Sequence, residues 1–216
     1  RLHILHISTA RELELFTNAL PLKEKRITAE ACIHHLWFTD EDYATKGNYI
    51  KWNPAVKSFN DRMNIREAVN DGRIDVIATD HAPHTIEEKE QDYLKAPSGG
   101  PLVQHSLQAL IDLHRKEIFT LEKIAEKSAH AVADLFNIEG RGYIREGYKA
   151  DVVLVDLNSP YTVTKENLLY KCGWSPFEGH TFSSTIVSTW CNGKLVFENG
   201  KLTGVKSAEA LTFSER

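Results

Sequence analysis

The rhythm of the first 138 residues limits the fold more than any other feature of the chain. "LHILHI" (2–7), "ITAEACIHHLWF" (27–38) and "IDVIAT" (74–79) each read as a short strand. The last is a continuous apolar run rather than an alternating one, as expected of a strand covered on both faces. Helical spacing fills the intervals. "STARELELFTNAL" sets Thr9 and Glu12 as a capping box, with Leu13, Phe16 and Leu20 on one face. Residues 58–70 predict a helix closed by Gly72, and "GPLVQHSLQALIDLHRKE" and "LEKIAEKSAHAVADLFNI" predict two more. Alternating strands and helices belong to a parallel sheet or a (β/α)8 barrel. Three strands cannot close a barrel, and the chain opens without Met in a strand-like run, so the expectation is a piece of a longer α/β chain. After Gly140 the pattern turns to strand alternation, with Asn-Gly turns at 192–193 and 199–200. The expected organisation is a partial barrel over 1–140 and a small β-sandwich-like appendage over 141–216.

Composition narrows the partners. The 216 residues are 42% apolar and 26% charged, which is ordinary for a globular protein. A net charge of −4 leaves no footprint for nucleic acid or an anionic membrane. No apolar run approaches the roughly 20 residues that span a bilayer, and "RLHILHISTA" is not a signal peptide. Cys32, Cys172 and Cys191 are odd in number and scattered, which points away from a disulfide framework and toward a reducing cytoplasm.

In parallel α/β folds, chemistry gathers where strands end. Two polar residues have that placement: His6 after "LHIL" and Asp80 after "IDVIAT". An imidazole and a carboxylate converging on one barrel mouth are suitable zinc ligands. Taken singly, His6 reads as well as a satisfied strand-end histidine, and Asp80 as a turn or N-cap aspartate. His3 and His6 lie an odd number of positions apart, so on one strand they face opposite ways. His6, the later, is the better candidate. The adjacent His34 and His35 are expected to take packing or supporting roles on opposite sides of the second strand.

"IDVIATDHAPHTIEEK" resembles the signature of the dihydroorotases, cyclic amidohydrolases of pyrimidine biosynthesis. "LHILHISTA", "ITAEACIHHL", "NPAVKS", "EKEQDYLKAPSGGPL" and "SPFEG" fit the same family in the same order, and "GYIREGYKADVVLVD" resembles the β-appendage that amidohydrolases carry beside the barrel. The likeness runs from about the sixth barrel strand to the C-terminus, covering strands 6–8 of a metal-dependent (β/α)8 barrel. It implies two zinc ions, with His6 on one and Asp80 on the other. It also implies that Asp80 carries the proton, that Asn53 and His84 hold the substrate, and that Ser98–Gly99 contacts the ring through backbone groups. His81 is in the signature but is not a ligand. Two loops depart, "CIHHL" from the commoner Pro-His-His and "NPAVK" from Asn-Pro-Pro-Leu-Arg. The family's first-strand His-x-His pair, its bridging carboxylate or carboxylated lysine, its other strand-end histidine and its substrate arginine have no counterpart in these 216 residues.

The activity implied is reversible hydrolysis of the cyclic amide of dihydroorotate to N-carbamoyl-aspartate. The alternatives are another cyclic-amide hydrolase, allantoinase- or dihydropyrimidinase-like, and an inactive dihydroorotase-like scaffold that binds aspartate carbamoyltransferase. Expected partners are the small-molecule substrate and either a second copy of the chain or aspartate carbamoyltransferase.

Overall fold

The computed structural model describes residues 1–215; Arg216, the last residue of the expected appendage, lies outside them. Strands β1 (Leu2–Ile4), β2 (Ile27–Cys32) and β3 (Val76–Ala78) form one parallel sheet in the order β1-β2-β3. The register sets Leu2 opposite Ile27 and Glu30 opposite Val76. Parallel neighbours require crossovers. The one from β2 to β3 carries α1 (Ile33–Trp37), α2 (Tyr43–Lys46) and α3 (Phe59–Asp71). After β3 come α4 (Ile86–Lys89), α5 (Ser106–Arg115), α6 (Leu121–Ala125) and α7 (Ala131–Phe136).

Ala29 and Ala31 of β2 share one core with Ile65, Ala68 and Val69 of α3 and with Ala109, Leu110 and Leu113 of α5. Small residues on the strand let the helices lie close against it. The opposite face of β2 carries Thr28, Glu30 and Cys32, a polar row in place of a core.

Several expected elements differ in extent. The helix after β1 is a single 3-10 turn, Arg11–Leu15. The Glu12 carboxylate does accept from Thr9 N (2.8 Å) and Ser8 N (3.1 Å), but Leu20 precedes Pro21, a position that disfavours helix. Leu20 is exposed, and Asn18 turns its amide to the Asp71 carbonyl at 3.2 Å. The second strand stops at Cys32 instead of running to Phe38, because Ile33, Leu36 and Trp37 have helical spacing. The helix expected from residue 100 starts at Ser106, after a turn, and Gly100 lies so close to Trp52 that a Cβ would sit 2.7 Å from its ring. The long final helix is interrupted by a π-helical turn, Glu126–His130, and ends at Asn137 with φ 55°.

The C-terminal residues form strands β4 (Val152–Asp156), β5 (Tyr161–Thr162), β6 (Thr181–Phe182), β7 (Thr185–Cys191), β8 (Lys194–Glu198) and β9 (Lys201–Leu202). In this region, expected as a β-sandwich-like appendage, one antiparallel sheet has the order β4-β7-β8-β9, and β5 pairs only with β6. Asn192–Gly193 and Asn199–Gly200 have positive φ throughout, the geometry of tight hairpin turns. Val163, Phe177 and Phe182 return to the main core, so the chain around β5 and β6 packs with the parallel sheet. Among the described residues no helix is long and apolar enough to cross a membrane.

The entry into β2 is tied to β3 by a buried ion pair. Lys25 Nζ lies 2.7 Å from Asp75 Oδ1 and donates to the Gly72 carbonyl at 2.7 Å, while Asp75 Oδ2 accepts from Ala29 N at 2.9 Å. Lys25→Met would leave a buried carboxylate with one donor. It is expected to lower stability by about 3 kcal/mol, read from the shift of the urea midpoint at unchanged slope.

Candidate active site

His6 and Asp80 each lie two positions past the end of a strand, β1 at Ile4 and β3 at Ala78. Both have left-handed backbone, with φ of 39° and 46°. Residues other than glycine hold this conformation only where the surroundings fix it. Around His6 the ladder to β2 resumes at once: Ile7 N donates to the Glu30 carbonyl at 2.9 Å, and His6 N donates to Glu30 Oε1 at 3.3 Å. Around Asp80, the Trp52 indole Nε1 donates to the Asp80 carbonyl at 3.4 Å.

Strand alternation does not separate His3 from His6, because β1 has ended before His6. His3 bonds Thr28 Oγ1 through Nδ1 (3.0 Å) and Glu30 Oε2 through Nε2 (3.1 Å). Glu30 is the site residue that sequence reasoning misses, and its one signal is a carboxylate inside the apolar run "ITAEAC". Its side chain is 12% exposed and also accepts a long 3.7 Å contact from Cys32 Sγ.

The charges are unbalanced toward acid. Burial lifts the Asp80 carboxyl above its ordinary range; His6 pulls it back and Glu30 pushes it further up. Burial, with Glu30 and Asp80 nearby, lifts the Cys32 thiol as well. His34 and His35 do not face opposite ways: both are buried in α1, with ring centroids 4.1 Å apart. Burial holds His34 well below its usual value and brings His35 to about 4, so both rings are neutral near pH 7. His34 stacks on Trp52 at 4.4 Å and 8°. Among the described residues neither ring nitrogen of His34, nor Nδ1 of His35, has a hydrogen-bond partner, while His35 Nε2 meets the Pro54 carbonyl at 3.1 Å.

His84, Ser98 and Gly99 come together on a neighbouring wall. His84 Nε2 donates to the Ser98 carbonyl at 3.1 Å, and its Nδ1 lies 3.4 Å from Glu88 Oε2. Gly99 has φ 123° and donates its N–H to the Lys51 carbonyl at 2.9 Å; a Cβ there would meet the Ala82 carbonyl oxygen at 2.5 Å. Asn53 is exposed on the loop after Trp52. His81 accepts from Leu102 N at 3.1 Å and so anchors the turn. Trp52 links the two groups, bonding Asp80 and lying beneath Gly100.

Among the described residues no three His, Cys, Asp or Glu side chains are placed to share a metal ion. The side chains of His6 and Asp80 nevertheless make no hydrogen bond among the described residues, although both are half-buried and polar neighbours are paired around them. Open nitrogen and oxygen donors of this kind suit two positions in a larger zinc ligand set.

Residues 6–196 match the Amidohydrolase family. The chain belongs to that family. It is 36% identical over 201 residues to the dihydroorotase of Endomicrobium trichonymphae, covering 91% of this chain and 47% of that protein. It is 39% identical over 199 residues to the dihydroorotase of Lactococcus lactis, covering 92% and 46%. Among solved structures, the L-hydantoinase (dihydropyrimidinase) from Arthrobacter aurescens superposes with a TM-score of 0.85 at 28% identity, covering 94% of this chain and 46% of that one. The chain thus spans about half the length of the curated relatives it matches. An amidohydrolase has a TIM-barrel-type, metal-dependent hydrolase fold, and its cofactor is commonly zinc. In such barrels functional groups occupy the carboxyl edge, where His6 and Asp80 lie.

The site also makes a prediction about its thiols. Cys32 is fully buried and its pKa raised, whereas Cys172 and Cys191 are half-buried. Thiolate is the reactive form. With a disulfide reagent at pH 8, Cys172 and Cys191 should be modified first, and Cys32 only on unfolding, as read by peptide mass mapping.

Proposed function

We propose that the chain is the C-terminal portion of a dihydroorotase, about strands 6–8 of the barrel over residues 1–140, followed by the β-rich appendage over 141–216. Support comes chiefly from the open His6–Asp80 pair at the carboxyl edge of a chain 32–39% identical to curated dihydroorotases. The reading carries with it a cytoplasmic location. It also carries assembly with a second copy or with aspartate carbamoyltransferase.

Two zinc ions, held in part by His6 and by Asp80, would supply Lewis acidity and lower the pKa of water toward ~7. The chain's own part is to move protons and hold the ring. Asp80 takes the proton from the attacking water and delivers it to the ring nitrogen as the amide opens, a base first and an acid afterwards. Asn53 and His84 hold the ring amide and the carboxylate, and Ser98–Gly99 backbone groups line the ring. His84 Nε2 exchanges the Ser98 carbonyl for the substrate carboxylate as substrate enters.

A second reading, a hydantoin-type ring as substrate, has only the likeness to the L-hydantoinase behind it, at 28% identity against 36–39% for the two dihydroorotases. Assaying the full-length enzyme on dihydroorotate, allantoin and hydantoin separates the two. Turnover of dihydroorotate alone is expected, and turnover of the others alone overturns the proposal. An inactive scaffold would have no chemical use for His6, Asp80 and His84 together.

In the full-length enzyme, Asp80→Asn keeps one ligating oxygen but cannot take the proton. It should retain metal and lose about 10²–10⁴-fold in kcat with a smaller change in KM. His84→Ala should mainly raise KM. An Asp80→Asn enzyme with near-normal kcat would remove the proton-carrying role. The 216 residues alone should show no turnover of dihydroorotate, since two side chains do not complete a zinc ligand set.

A further inference from the structure

Lys89, the last residue of α4, is 0% exposed and has no carboxylate partner among the described residues. Its ammonium donates to three backbone carbonyls, those of Gly99 (2.8 Å), Pro97 (2.9 Å) and Lys51 (3.3 Å). An ammonium has three donors and no acceptor, so its hydrogen-bonding capacity is matched in full. Burial, and the neighbouring Lys51 ammonium, push Lys89 down to about 8.

The three carbonyls are not arbitrary. Two flank Ser98, and the third belongs to Lys51, two residues before Asn53. The ammonium thus holds the carbonyls on both sides of Ser98, whose own carbonyl accepts from His84 Nε2 at 3.1 Å. Gly99 N returns to Lys51 O at 2.9 Å, and Lys51 Nζ reaches the Tyr93 and Ala96 carbonyls at 2.5 and 2.6 Å. No helix or strand lies between α4 and α5, so these contacts substitute for regular structure.

We propose that Lys89 is a positioning residue for substrate recognition, its ammonium fixing the Ser98–Gly99 backbone against the Asn53 loop and thereby orienting His84. The proposal rests on the reading above that these groups contact substrate. Lys89 touches neither Asp80 nor His6, so bond-making is left alone. The effect belongs in KM.

The test uses the full-length enzyme carrying Lys89→Met or Lys89→Ala. Each should raise KM for dihydroorotate about tenfold or more, with kcat within about threefold and metal content unchanged. Ethylammonium should restore part of the KM of Lys89→Ala, and tetramethylammonium, which has no N–H, should restore none. Amide exchange over residues 96–100, followed by mass spectrometry, should be faster in Lys89→Met. This arm needs no substrate: if the wild type does not turn over dihydroorotate, the functional reading fails while exchange still reports on the clasp. Unchanged KM with unchanged exchange, or a loss confined to kcat or metal content, overturns the proposal. Should the Lys89 variants not fold, Lys51→Met removes the adjoining tether and should raise KM by a smaller factor. An unchanged KM in that variant likewise overturns it.

Discussion

The central strand β2 sets the geometry on which the rest of the site depends. It pairs with β1 on one side and β3 on the other, so the ends carrying His6 and Asp80 are separated by two strand spacings, about 10 Å between backbones. Neither side chain could keep that placement on a mobile loop. Both backbones have positive φ, a conformation costing on the order of 1–3 kcal/mol in a residue other than glycine. The Ile7–Glu30 bond holds one and the Trp52–Asp80 bond the other. In both cases the strained residue is one whose side-chain donor atoms are left open.

Much of this was legible in the sequence, for physical reasons that also mark where legibility stops. The three strands are short apolar runs, and the Asn-Gly hairpins need positive φ that asparagine and glycine readily supply, so both could be read from composition and order. Boundaries could not. "ACIHHLWF" has the β-branched and aromatic content of a strand, yet Ile33, Leu36 and Trp37 also have helical spacing, and tertiary packing decides for helix. The misreading moved His34 and His35 from opposite faces of a strand to a buried pair against Trp52.

The missed polar residues share a cause. Glu30 has meaning only once β1 brings His3 and the His6 N–H against it, contacts 24 to 27 residues apart in sequence. Lys89 lies in "IEEKEQ", which reads as a solvated helix end, and its three partners are backbone carbonyls that no side-chain pattern announces. By contrast, His84 and Ser98 meet across a loop that the family resemblance singled out, though resemblance did not reveal that the histidine is held by the chain's own carbonyl.

The electrostatics of the two walls are opposite, and that difference bears on what each can bind. On the Lys89 side, buried positive charge is matched by carbonyl oxygens, so the wall is satisfied as it stands. On the Asp80 side, Asp80 and Glu30 carry the charge, His34 and His35 are neutral, and each acidic group raises the pKa of another. Such a cluster resists ionisation on its own and favours a cation, because a divalent ion near Asp80 would reverse the direction of its shift and hold the carboxylate ionised. On that wall burial and the Glu30 charge both work against ionisation of Asp80, and His6 opposes them.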